Sequence, residues 1–440
     1  MITRPRSSTL VLTALLTVTA VLAGVVVWLG RTEDPAGKTI VTVRLWDEQV
    51  AAAYRESFDV FSRTHPDIEI RTNLVSYATY FDTLRTDVAG GGADDIFWIN
   101  NSHFAEYADN GRLMAVTPSP EWDSSVIGQF TRAGVLWGVP QLTDAGIALY
   151  YNADLLATAG INPATLGEAR WDSNPSIDTL RPLLARLTVD SNGKTAAESG
   201  FDARRIRQWG YNAANDLQGI NLNYIGSAGG VFADGDRFAF DNPQTVVAFH
   251  YVVDLINRDN VAPPASDTND NGDFSRNQFL SGRMAVLQSG TYNLAQIAEQ
   301  ARFNWGIAML PTGPAGRVSV TNGIVAAGNP ATRHPEAARA VLDWLGSTAG
   351  NAFLGRRGAA IPAVLPAQRA YFDYWSAKKI DVTPFFAVLD GPRIEAPGGA
   401  GFGAGYQAIK PYFDEMFLGR RPVAQTLAAA QQAANTAAQR

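Results

Sequence analysis

From Ile40 to Gly111 the hydrophobic period switches repeatedly between two residues and three to four, and this alternation constrains the fold more than any other feature of the chain. Ile40-Val-Thr-Val-Arg-Leu-Trp46 alternates as a half-buried strand does. Ala51 to Thr64 follows, with Tyr54, Phe58 and Phe61 at helical spacing and Pro66 just beyond its end. Ile68 to Val75 reads as a second strand, Tyr80 to Val88 as a helix closed by Gly90-Gly91-Gly92, and Ile96 to Ile99 as a third strand. A helix-like segment, His103 to Gly111, comes next. Strands separated by helices with short connections imply a parallel sheet with right-handed crossovers, an α/β fold.

The third strand belongs to the stretch Asp94-Asp-Ile-Phe-Trp-Ile-Asn-Asn101. Ligands of open α/β sheets sit beyond the carboxyl ends of the strands. An indole face beside two amides offers stacking area with oriented hydrogen bonds, which suits a neutral polar ring better than a phosphate. A lone aromatic after a strand fills core more often than it binds, so Trp98 gains weight only from the rest of the chain.

A second unit opens near Leu149-Tyr-Tyr-Asn-Ala-Asp-Leu155. Helices are expected around 177–187, 244–258 and 275–282, and strands over Ala285–Leu287, Asn304–Leu310 and Val320–Ala327. His334 to Gly346 is an amphipathic helix with Ala338, Val341, Leu342 and Leu345 inward, and the Ala/Gln-rich tail, Val423 to Gln439, is helical. The Gly-rich stretch 398–405 is a loop rather than a phosphate cradle, since no Lys follows it and no G-x-G-x-x-G opens a helix after a strand.

The 440 residues carry a net charge of −6, which argues against nucleic acid and polyphosphate as partners. Arg4 and Arg6 precede an uncharged apolar run from about Leu10 to Gly30. A helix of that length nearly crosses a hydrocarbon core of roughly 30 Å, and the positive residues place the body outside the cytoplasm. The run exceeds the roughly 7–15 residues of a cleaved signal's apolar region and no A-x-A site closes it, so an uncleaved anchor is favoured over a cleaved signal. Residues 1–38 are thus anchor or signal plus linker, and a monomeric body is expected. The absence of cysteine excludes disulfides, thiol nucleophiles, thiolate metal sites and a lipid-modified Cys.

Aromatic residues recur after strands or at Gly-marked turns: Trp46, Trp98, Trp209, Tyr224, Tyr292, Phe402 and Tyr406. Asp47, Glu48, Asn101, Asp144, Asn223, Asn293 and Asn322 accompany them. Aromatic faces with amides and carboxylates are how proteins grip sugars, whose C–H faces stack and whose hydroxyls donate and accept. Any single member fills core more readily than it binds; the set favours binding.

Two loops resemble calcium sites. Asp267-Thr-Asn269-Asp-Asn271-Gly272 matches the first half of an EF-hand loop, but Gln278 stands where a bidentate Glu belongs. Asp190-Ser-Asn192-Gly193-Lys194 is shorter, with Asp202 one place beyond the usual last ligand. A solvated turn is the favoured reading of each; bound calcium would tie a loop, and no cofactor is required. Catalytic signatures are weak, without H-E-x-x-H or G-x-S-x-G among the residues. Adjacent Asp94 and Asp95 point to opposite faces of a strand and cannot flank one bond.

Taken in order, these motifs resemble the extracellular solute-binding proteins of carbohydrate ABC importers, the group that includes maltose-binding protein. The resemblance spans about residues 40–430 and rests on the strand ending in Trp46, Asp94-Asp-Ile-Phe-Trp-Ile-Asn, Gly138-Val-Pro140, Leu149 to Leu155, Phe279-Leu-Ser-Gly-Arg-Met-Ala285, Ser289-Gly-Thr-Tyr-Asn293 and Ala359-Ala-Ile-Pro362. It implies two α/β lobes joined by crossing strands, with ligand in the cleft. Lobe 1 is expected over 39–149 plus about 312–357, and lobe 2 over 150–311 plus about 358–440, with crossings at Tyr150–Asn152, near 305–312 and near 355–362. Carried over residue by residue, it implies sugar contacts at Trp46, Asp47, Glu48, Trp98 and Asn101, an often acidic position beside Asp144, and a stacking aromatic at Tyr292. Phe402 or Tyr406 falls near another stacking position, Tyr80 and Asn322 are weaker matches, and Tyr224 stays a candidate from the aromatic pattern alone. Trp98→Ala is expected to weaken sugar binding by about 2–4 kcal/mol. Many relatives are lipoproteins attached through a Cys that this chain lacks, which supports the membrane anchor or release from the cell.

The implied function is a non-enzymatic receptor that closes on a sugar and delivers it to membrane permease subunits. Two rivals stand beside it. One is a hydrolase using Asp47 and Asp144 as a carboxylate pair. The other is a sensory receptor presenting ligand to a membrane kinase or phosphatase.

Overall fold

The computed structural model describes residues 37–143 and 145–439. The apolar run Leu10–Gly30, and with it the expected anchor, lies outside the described residues; among these, no helix is long and apolar enough to cross a membrane.

The first strand β1 (Thr39–Leu45) leads into α1 (Glu48–Thr64), β2 (Ile68–Leu74), α2 (Tyr77–Gly90), β3 (Ile96–Asn100) and α3 (Asn101–Asp109). The expected alternation is present, with β1 parallel to β2 from Thr39↔Ile68 to Leu45↔Leu74 and parallel to β3 through Val43↔Ile96. Strand Ile324–Gly328, returning from far along the chain, runs antiparallel to β3 and in turn pairs with Val139–Leu142. β3 is therefore an interior strand of a five-stranded sheet, and all five of its side chains are buried. Helix α1 buries Tyr54, Phe58 and Phe61 on one face, as their spacing requires, in a core that also holds Phe97, Leu342 and Leu345.

A second lobe is built on a three-stranded antiparallel sheet in which Ala148–Asn152 lies between Val286–Ser289 and Trp305–Ala308. Its main core gathers Leu149, Trp171, Tyr211, Phe249, Phe413 and Leu427. A smaller core gathers Tyr150, Leu287, Tyr371, Trp375 and Phe385. Helices Phe402–Phe417 and Val423–Ala437 pack against each other on this lobe.

Four sequence expectations need correction. The apolar run Val320–Ala327 is two strands: Ser319–Thr321 pairs with Arg393–Glu395, and Ile324–Gly328 enters the lobe 1 sheet. Asn322 and Gly323 break the run, so the chain returns to lobe 1 there and not near 305–312; Trp305–Ala308 is wholly a lobe 2 strand. The first passage likewise falls between Leu142 and Ala148, because Tyr150–Asn152 already sits in the lobe 2 sheet. Finally, the Gly-rich stretch is loop only up to Gly401, and a helix starts at Phe402 despite glycines at 403 and 405.

Candidate functional site

Parallel strands β1, β2 and β3 end at one edge of the lobe 1 sheet, and the residues after each end form half of a cleft. After β1, Asp47 caps α1: its Oδ1 accepts from the backbone N–H of Gln49 at 2.8 Å and of Val50 at 2.9 Å. Trp46 rests on a bed of rings, with centroids 4.8 Å from Tyr80, 5.0 Å from Trp98 and 5.7 Å from Phe81. After β2, Tyr77 opens α2 and stands edge-on to Trp46 at 5.5 Å. After β3, Asn100 caps α3 with its Oδ1 on the N–H of His103, and Asn101 follows.

Lobe 2 supplies the facing half. Asp216 caps a π-helical turn, Leu217–Asn221, its Oδ1 accepting from the Gly219 N–H at 2.8 Å. Such turns are rare and often mark functional positions. Gln218 Oε1 accepts from Asn322 Nδ2 at 3.0 Å, which ties this turn to a crossing segment. Tyr292 lies in the single turn Thr291–Asn293 after strand Val286–Ser289. Tyr406 stacks on Phe402 in helix Phe402–Phe417, centroids 5.5 Å apart.

The charge of Asp216 links these groups from the two lobes. Tyr77 and Tyr292 leave 51% and 50% of their surfaces free. Yet protein crowds Tyr77 closely enough that desolvation, with the charge of Asp216 second, pushes its phenol up to about 12 against a hydrogen bond from Asn100. The Tyr292 phenol is likewise pushed up by burial, then by Asp216, with Tyr77 adding to the shift. Burial, Tyr77 and Asp216 do the same to Tyr406. Burial also raises the Asp47 and Asp216 carboxyls above their ordinary values, against the backbone N–H groups that hold each one. Two buried acceptors, Asn101 Oδ1 and Asn322 Oδ1, have no hydrogen-bond partner among the described residues. Phenol rings, amides and carboxylates with acceptor capacity to spare are a surface for hydroxyl-rich rings.

Several residues picked from the sequence lie elsewhere. Trp98 is fully buried at the middle of β3, where both faces of the sheet are covered. Its Nε1 donates to the Tyr54 hydroxyl at 3.1 Å, which donates in turn to Gln141 Oε1 at 2.6 Å. Tyr80 is also fully buried, its hydroxyl donating to the Trp98 carbonyl at 2.9 Å. Tyr224 is core, packed on Trp171 and Tyr251 with its hydroxyl donating to that of Tyr211 at 3.2 Å. Phe402 is 3% exposed, sandwiched between Phe238 and Tyr406, and presents no free face to a ligand. Trp46, Asp47, Asn101, Asn322 and Tyr406 are half-buried, and Glu48 is exposed on the first turn of α1. Asp144 lies outside the described residues.

Sequence reasoning missed Tyr77 and Asp216. Tyr77 has a signal, since it lies three residues past the end of β2, but Tyr80 one turn later drew the assignment. Asp216 sits in a polar loop with no periodicity, and only the fold brings it opposite Tyr77.

Neither calcium loop keeps the geometry expected of it. Asp190 is fully buried, with Oδ1 accepting from the N–H of Asn192 and Lys194 and Oδ2 from that of Asp202. Asp202 Oδ1 accepts from the Arg204 N–H and Oδ2 pairs with Arg205 at 2.8 Å. These carboxylates are occupied by donors that a cation would have to displace. Asp267 sits in a helical turn, Ala265–Thr268, rather than in an open loop. Asn269 Nδ2 donates to the Asp414 carbonyl at 3.3 Å, and Asn271 gives its backbone N–H to the Thr268 carbonyl at 3.2 Å. Among the described residues no group of three or more His, Cys, Asp or Glu side chains is placed to hold a metal ion.

Comparison with known proteins identifies the family. A family model of bacterial extracellular solute-binding proteins matches residues 46–352. The crystal structure of M. tuberculosis UspC is 70% identical in sequence, with a TM-score of 0.72, over 91% of this chain and 100% of that one. The ABC substrate-binding protein Lmo0181 from Listeria monocytogenes, solved in complex with cycloalternan, is 18% identical with a TM-score of 0.76, over 91% and 98% of the two chains. A maltooligosaccharide ABC transporter solute-binding lipoprotein of Streptococcus pneumoniae serotype 4 is 24% identical over 241 residues, 54% of this chain and 51% of that one.

Proposed function

This chain belongs to the bacterial extracellular solute-binding proteins, and from that premise we propose that it captures a sugar or short oligosaccharide between its lobes for delivery to the membrane subunits of an ABC importer. The observation that carries the reading is that Tyr77 from lobe 1 and Tyr292 and Tyr406 from lobe 2 all lie near enough to Asp216 to feel its charge. Relatives that were solved with cycloalternan or are named for maltooligosaccharides support the ligand class.

In this reading each lobe holds half a site. A sugar stacks on the tyrosine faces, and its hydroxyls donate to Asp47 and Asp216. Each of these carboxylates is pre-oriented because Oδ1 is fixed by helix N-terminal amides. Ligand favours the closed arrangement only by the difference in its affinity for the two states. The polypeptide moves by hinge closure at the crossing segments. The family's extracellular placement fits a body outside the cytoplasm, and the apolar run Leu10–Gly30 is the segment proposed to hold it to the membrane.

Binding without catalysis is preferred to hydrolysis because Asp47 and Asp216 are both helix caps, tied down at one oxygen each. Prolonged incubation with maltooligosaccharides, followed by chromatography, tests this; new shorter products would overturn it. The binding reading itself is tested by melting the protein against a panel of mono- and oligosaccharides. A ligand that binds only the folded state raises the melting temperature.

A further inference from the structure

The Gly-rich segment 398–405 has so far no role. It joins strand Arg393–Glu395 to helix Phe402–Phe417 on lobe 2, and it lies where that lobe touches lobe 1. A Cβ on Gly398 would stand 2.9 Å from the carbonyl oxygen of Asn101 and 3.5 Å from the Cα of Ser102, backbone against backbone. A Cβ on Gly403 would overlap Arg85 Nη2 and stand 3.2 Å from Glu106 Oε2. Arg85 and Glu106 are themselves paired at 3.3 Å on lobe 1. By contrast, Gly401 and Gly405 abut Ala438 and Phe238 of their own lobe.

Further contacts run along the same seam. The His103 ring, stacked on Phe81 at 3.6 Å, meets the edge of Phe402 at 5.3 Å. Gln407 Nε2 donates to Asp82 Oδ1 at 3.2 Å. Arg132, gripped by Asp109 at 2.5 and 2.6 Å, also reaches Asp236 at 3.4 Å. Neither Gly398 nor Gly403 has the left-handed φ that demands glycine. Gly403 also lies in a helix, where alanine is the better residue. The local backbone therefore does not explain these two glycines; the opposite lobe does.

We infer that Gly398 and Gly403 set how closely the lobes approach, and that this glycine seam favours the closed arrangement of the protein before any sugar is bound. The inference rests on the two-lobe binding reading, but its test needs no sugar. The chain has no cysteine, so Ala89→Cys on lobe 1 and Gln432→Cys on lobe 2, both exposed, accept spin labels cleanly. Inter-label distances are then measured on the sugar-free full chain.

With native glycines the short-distance population dominates. Gly398→Val lowers the ratio of short to long distances by about tenfold, and Gly403→Val, which meets the movable end of Arg85, lowers it by less. Adding Arg85→Ala restores that ratio in Gly403→Val, because the obstacle is a movable side chain. It does not restore it in Gly398→Val, where the obstacle is the Asn101 backbone. Should Gly398→Val fail to melt cooperatively, Gly398→Ala takes its place with a smaller shift in the same direction. Unchanged distances in both valine variants, or an Arg85→Ala effect that ignores which glycine was replaced, would overturn the inference. Because no sugar is present, loss of sugar binding in another experiment does not imitate either result.

Discussion

Tyr77 of lobe 1 and Asp216 of lobe 2 lie close enough across the cleft for the carboxylate's charge to help hold the phenol neutral. Neither residue belongs to a motif, and the chain between them crosses from one lobe to the other. Their meeting, with Tyr292 and Tyr406 beside them, is what makes the space between the lobes a candidate sugar site.

If those rings are the stacking faces, Tyr77→Ala and Tyr292→Ala should each weaken binding of whichever sugar stabilises the protein by about 2–4 kcal/mol, the range for an aromatic anchor. Tyr77→Phe should retain most of the affinity. Both tyrosines are only half buried, so chemical denaturation should find a stability loss of about 1 kcal/mol, smaller than the loss in binding. Isothermal titration calorimetry that finds native affinity in both alanine variants would remove these rings from the site.

Trp98 should behave in the opposite way. It is fully buried and its indole N–H is used by Tyr54. Trp98→Ala should therefore cost about 3–5 kcal/mol of stability, the usual loss for a buried Trp, with the affinity of the protein that remains folded little changed. Urea unfolding followed by circular dichroism measures the first and calorimetry the second. A stable variant that has lost sugar binding would restore Trp98 to the cleft.

His103 should make lobe 1 sensitive to acid. Burial, then the charge of Arg85, lowers its pKa from 6.5 to about 3, so the folded chain keeps it neutral. Between those values the unfolded chain binds a proton that the folded chain does not, and stability must fall as pH falls from about 6.5 towards 3. The loss is on the order of a few kcal/mol. His103→Phe, which keeps a ring against Phe81, should flatten that part of the profile. Equal slopes for native and variant in urea unfolding at pH 7 and pH 5 would refute the assignment.

Calcium should be irrelevant to the loop around Asp190, because three backbone N–H groups already fill its carboxylate. Adding calcium or a chelator should leave the melting temperature unchanged. Asp190→Ala should destabilise the protein, since it removes three hydrogen bonds to a charged acceptor, each worth about 1 kcal/mol or more. A chelator-induced fall in melting temperature would show that a cation holds the loop after all.

The order of elements through lobe 1 was legible because hydrophobic period follows secondary structure directly, and Tyr54, Phe58 and Phe61 mark one helix face unambiguously. The cleft was only half legible. A strand end could be located to within a residue or two, but which aromatic near it faces the ligand depends on helix phase: Tyr77 and Tyr80 are one turn apart, one half exposed and the other fully buried. Trp98 misled because its polar neighbours suggested a strand terminus, whereas pairing with Ile324–Gly328 makes β3 an interior strand. That pairing joins segments more than two hundred residues apart and leaves no local trace. The glycines of 398–405 signalled a loop by propensity, but two of them answer to the opposite lobe, which propensity does not see.

The claim that a sugar binds between the lobes is tested most directly by calorimetric titration of the native protein and of Asp216→Ala with the best stabiliser from the saccharide melting screen. The account predicts one binding event per chain for the native protein and at least about tenfold weaker affinity for Asp216→Ala, the loss of a hydrogen bond to a charged acceptor. A screen in which no saccharide raises the melting temperature, or a titration in which Asp216→Ala binds as tightly as the native chain, would contradict it.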